Sequence, residues 1–140
     1  MKKTATAIAL SAKAEPRYWP AIEPEWWENL GDFRLMTLEE CVQHFEALTG
    51  DPEPYLQQLV PVFIDDKTFA PSYQFGEDGL PHPVVQTLFS RALELKVPHN
   101  SFTHWMLTPL PVQNYPRPVK ALGHPGRLME YLEDFARNRP

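Results

Sequence analysis

The chain has 140 residues, a formal charge of −5, 43% hydrophobic residues and 12% aromatic residues. That content fills one core, which excludes a disordered chain and leaves room for a single domain. Sixteen prolines cut the backbone into short elements and exclude long strands or a long coiled coil.

The charge is unevenly spread. Residues 15–66 carry twelve acidic side chains against Arg17 and Arg34, while residues 67–140 carry eight bases and six acids. The acidic front half repels phosphate and reads as a solvated surface. The lone cysteine, Cys41, excludes an intrachain disulfide and is expected as a small buried side chain on an apolar helix face.

The amino terminus, Met1 to Ala14, has a basic start, a short apolar run and an Ala12-Lys13-Ala14 step. It resembles a bacterial secretory leader. Its apolar run, Ala5 to Leu10, is shorter than the roughly 7–15 residues such leaders use. The expectation for residues 1–15 is a vestigial or vector-derived leader, or a disordered arm, on a cytoplasmic protein. Residues 16–35 hold Trp19, Trp26 and Trp27 among prolines, and read as an extended segment pinned by its rings. An aromatic ligand platform is the alternative.

A globular domain is expected over residues 36–140. Thr37-Leu38-Glu39-Glu40 forms a capping box, followed by a helix with Leu38, Val42, Phe45 and Leu48 on one stripe. Thr49-Gly50 ends it. Asp51-Pro52 starts a second short helix carrying Tyr55, Leu56, Leu59 and Val60. Val62, Phe63 and Ile64 form a strand, Asp65-Asp66-Lys67 a turn, and Thr68-Phe69 the return. A helix pair with a small hairpin over 36–75 is the outline of a winged helix. A DNA-reading second helix needs Arg, Lys, Asn or Gln toward the groove, and this one offers Gln57 and Gln58 with no base. Pro83 opens a third helix with Val85, Leu88, Phe89 and Ala92 at helical spacing. Asn100 or Ser101 caps a fourth, holding Phe102, Trp105 and Met106, which Thr108-Pro109 stops. A rigid loop over 109–118 and a short turn at 117–122 follow. Gly126 precedes a last helix with Leu128, Tyr131, Leu132 and Phe135 on one face. The expected fold class is mainly α, with a short β-hairpin, a winged-helix-like front half and a helical rear half over 76–140.

The chemistry-bearing residues do not assemble by spacing. His44, His82, His99, His104 and His124 form no zinc-ligand pattern and read as exposed or loop-capping. Glu39-Glu40 and Asp65-Asp66 are adjacent pairs whose carboxylates point apart. No nucleophile elbow, P-loop or dinucleotide fingerprint is present. No enzyme, metal or cofactor is expected.

Six stretches follow one another in a set order: Pro71-Ser72-Tyr73-Gln74-Phe75, Asp78-Gly79, Pro83, Trp105-Met106-Leu107-Thr108-Pro109, Arg117-Pro118-Val119-Lys120-Ala121-Leu122, and Arg127 to Phe135. In order and spacing they resemble the Xre/MbcA/ParS-like antitoxin family, chiefly its toxin-binding domain, over residues 36–138. The resemblance implies a module that binds and neutralises a cognate toxin, commonly of the NAD-consuming RES type. In that family the C-terminal part occupies or occludes the toxin's active-site entrance. It makes Arg117, Lys120, His124, Arg127, Arg137 and Arg139 the candidate partner contacts. Charge compensation at helix C-termini, above all for Arg137 and Arg139, is the other reading of these residues. Tyr73, Phe75, Trp105 and Pro109 read as core, with Gln74, Thr108 and Pro118 completing the structural motifs. The family's Gly-rich turn before the Arg-Pro step is here Gln113-Asn114-Tyr115-Pro116, and its basic DNA-binding region is not visible. Alternatives are a helix-turn-helix transcription regulator, disfavoured by the acidic front half, and a secreted or periplasmic immunity or binding protein. The expected partner is a protein, with a homodimer also open and no membrane involved.

Overall fold

A computed structural model describes residues 33–110 and 116–138. The leader-like residues 1–15, the tryptophan-rich segment up to Asp32, the turn around Asn114, and Arg139 lie outside the described residues. The fold is mainly α, with one three-stranded antiparallel sheet.

Strand β1 (Leu35–Thr37) runs directly into helix α1 (Leu38–Thr49). Thr37 makes the junction through the capping box. Its hydroxyl accepts the Glu40 N–H at 3.1 Å, and the Glu40 carboxylate accepts the Thr37 N–H at 3.0 Å. These bonds and the guanidinium of Arg34, at 2.6 Å, hold Glu40 below the usual carboxylate range. Gly50, at φ 78°, closes the helix in the left-handed conformation that glycine adopts without strain. Cys41 and Phe45 face inward and pack with Met36, Leu56, Leu59 and Ala70. Burial pushes the Cys41 thiol up to about 12. Leu48, expected on the same stripe, is 48% exposed, because it lies in the last turn, beyond the reach of this cluster.

The second helix, α2 (Glu53–Leu56), is a single turn. Leu59 and Val60, expected within it, are buried but lie beyond it. Pro61 supplies the reason, since a residue before proline is pushed out of the α region. Strands β2 (Val62–Ile64) and β3 (Lys67–Pro71) form the expected hairpin. Asp65 and Asp66 sit at φ 50° and 66°, the positive values that a tight hairpin turn requires and that aspartate tolerates. The sheet order is β1-β3-β2, with Met36 opposite Ala70 and Phe63 opposite Thr68. The pairing of β1 along β3 was not expected from the sequence.

Helix α3 (Pro83–Glu94) opens on its proline, with the His82 ring accepting the Val84 N–H at 3.1 Å. Helix α4 (His99–Leu107) starts after Pro98, not at Asn100 or Ser101. Asn100 has a different role. Its amide donates to the Phe63 carbonyl at 2.9 Å and accepts the Phe63 N–H at 2.8 Å. It thus closes the outer edge of β2 as a mock strand residue. Helix α5 (Pro125–Arg137) takes Gly126 into its first turn. Short 3₁₀ turns at Ser72–Gln74 and Pro118–Lys120 complete the path. Leu88, Ala92, Phe102, Met106, Leu128 and Leu132 form the centre of the larger core, which Val60 and Tyr73 enter from the front half. Arg91 ties α3 to α5 through Nε and Nη2, at 3.1 and 2.9 Å from one Glu133 oxygen. Among the described residues, no helix is long and apolar enough to cross a membrane.

Candidate functional site

The Tyr73-Gln74-Phe75 step turns out to be a lock between the two halves of the fold. The Tyr73 hydroxyl meets Thr103 Oγ1 of α4 at 3.0 Å in a buried setting, and burial raises the phenol above its usual value. The Gln74 side chain is fully buried. It accepts the Val60 N–H at 2.7 Å and donates to the Val60 and Pro71 carbonyls at 3.0 and 2.9 Å. Gln74 therefore meets the backbone needs of Val60, which no sheet partner satisfies. Phe75 is only partly buried and stacks on His44, with ring centroids 5.0 Å apart. His44 Nε2 lies 2.7 Å from the Gly79 carbonyl. Gly79 sits at φ 80°, where a Cβ would come within 2.7 Å of the Leu48 side chain.

The second motif ends α4. Trp105 is buried at 4% exposure. The Thr108 hydroxyl donates to the His104 carbonyl at 2.6 Å, and the Thr108 N–H donates to the Trp105 carbonyl at 3.3 Å. Pro109, expected as core, is exposed instead, and Leu110 takes the buried position. A proline after a helix end limits the backbone while its ring faces solvent. Between the carboxyl ends of α4 and α5 lies a cleft of about 400 Å³. Trp105, Leu110, Tyr131 and Phe135 give it an apolar wall, and Asp134, Asn138, Thr108 and His104 bring polar atoms to it. The Trp105 and Phe135 rings are 6.4 Å apart. Burial lowers the pKa of His104.

The candidate contacts among the described residues do not all lie together. Arg117 and Lys120 lie 6.0 and 5.3 Å from the ring centre of Phe33, which also meets Tyr73 edge-on. Their neighbour Pro118 is buried. His124 and Arg127 are exposed at the start of α5. Arg137 is ten residues further on, about 15 Å along the helix axis, and is bonded to Asp134. That pair, in the last turn, fits the charge-compensation reading. Phe33 was missed as a functional neighbour because nothing in sequence order places it beside residues 117–120. Tyr131 and Phe135 were legible as an apolar helix face but not as a cleft wall. Among the described residues, no three His, Cys, Asp or Glu side chains form a group that could hold a metal ion.

No family model, curated protein or solved structure matches the chain.

Proposed function

We propose that this protein is a non-catalytic binding module of the antitoxin type, which binds and neutralises a cognate toxin of the NAD-consuming RES type. The ordered motifs from Pro71 to Phe135 suggest it. The observation that carries it is the mounting of α5. Its inner face, Leu128, Leu132 and Ala136, is buried, and Glu133 is tied to Arg91 of α3. Its start leaves His124 and Arg127 exposed behind the rigid Pro118 and Pro125 steps. A surface ordered in advance loses less entropy on binding, and the exposed Arg127 suits an acidic partner. The regulator reading finds less support. Helix α2 is one turn, about 6 Å long, and Gln57 and Gln58 lie past its end.

The test is tagged protein recovered from its native host, with co-purified proteins identified by mass spectrometry, beside an Arg127→Glu variant. A stoichiometric small NAD-consuming toxin, present with the wild type and lost with the variant, is the expected result. Recovery of a different specific partner and no toxin overturns it.

A further inference from the structure

The cleft between the carboxyl ends of α4 and α5 lies away from the exposed start of α5 on which that reading rests, and of the described candidate contacts only Arg137 reaches its rim. We propose that this cleft binds a small organic cation with an aromatic or alkyl body.

Three independent features converge there. The volume of about 400 Å³ falls within the range of about 300–1,000 Å³ usual for small-molecule sites. A helix, about 10–12 Å across with its side chains, would overfill it, so the occupant is a small molecule. The wall is aromatic, with Trp105 and Phe135 tilted 35° to each other and Tyr131 beside them. Such rings take apolar bodies by contact and cations through their π faces.

The electrostatics select the sign. Thr108 and Asn138 are the C-caps of α4 and α5, and both line the cleft. Two helix carboxyl ends therefore bring partial negative charge to one place. Asp134 adds a full carboxylate. Burial lowers the pKa of His104 and so disfavours an opposing positive charge there. The rim already holds one cation, since the Arg137 guanidinium rests on Asp134 with both side chains more than half exposed. An exposed pair of this kind is weak and can yield to a competitor. Arg137 is thus an internal rival of the ligand, which makes the two partners of one ion pair respond in opposite directions.

The probe is phenethylammonium, titrated into the full chain while the Trp105 indole signal is followed by NMR. The control is 2-phenylethanol, which keeps the body and lacks the charge. Saturable shifts at Trp105 are expected, with the alcohol weaker by about five-fold or more. Asp134→Asn should weaken phenethylammonium about two- to five-fold, and Arg137→Ala should strengthen it by a similar factor. Both side chains are exposed, so the fold survives either change. No saturable shift, equal affinity for the alcohol, or the same response in both variants overturns the proposal. The titration contains no protein partner, so its outcome is independent of the toxin reading.

Discussion

Gln74 illustrates how one buried amide can decide a local path. Its three hydrogen bonds replace a missing strand partner for Val60. Removing them strands a buried N–H and two carbonyls, and such groups are costly when left without partners. Gln74→Met, which keeps the length, should lower stability by about 2–4 kcal/mol, read as a lower urea midpoint at unchanged slope. A loss under half a unit would mean that water or a rearranged backbone serves Val60 instead. Asn100 plays the same part at the outer edge of β2. Both residues were visible in the sequence, yet the bonding of neither was. A polar side chain pairs with whatever backbone comes near, and nearness here spans 14 residues for Gln74 and 37 for Asn100.

At the scale of elements, local rules worked wherever the cause was local. Thr37 and Glu40 cap α1, Gly50 ends it, and Pro83 starts α3, each through contacts within four residues. Apolar spacing also placed Leu128 and Leu132 on the inner face of α5, while Tyr131 and Phe135, expected beside them, are only partly buried. The errors fall where neighbours compete. Pro61 ends the chance of helix at Val60, and an isolated three-residue β1 has too little pattern to read before β3 is known. The α3–α5 contact separates packing from charge. Leu132 is fully buried, while Arg91 and Glu133 are about one-third exposed. Leu132→Ala should therefore cost about 2–5 kcal/mol, and Glu133→Gln no more than about 1 kcal/mol. Chemical denaturation of both variants checks the order, and a larger loss for Glu133→Gln would make the ion pair, not the apolar face, the main tie.

For the molecule as a whole, the question is whether two clusters make one cooperative unit. Cys41 belongs to the cluster under the sheet, and Trp105 to the larger helical one. Val60 and Tyr73 carry the front half into the helical core, and Gln74 joins Val60 to Pro71. These ties should merge the two clusters into one transition. The buried Cys41 thiol, held near 12, should resist a thiol reagent at neutral pH until the fold opens. Its exposure and the loss of the native Trp105 indole signal should share one urea midpoint. Earlier exposure of Cys41 would show that the front half opens alone.

The sequence by itself determined the fold class, the two ends of α1, the start of α3, the hairpin turn and the buried face of α3. These depend on backbone sterics and on hydrogen bonds within a few residues, which composition and spacing carry directly. It also supplied the ordered motifs on which the antitoxin reading rests. Only the tertiary structure decided what those motifs touch. It turned Tyr73 and Gln74 into a lock, left Pro109 outside, set Arg117 and Lys120 on Phe33, and brought two helix ends together around a cleft. Such outcomes depend on residues far apart in the chain, and their pairing is fixed by three-dimensional packing that no local pattern records.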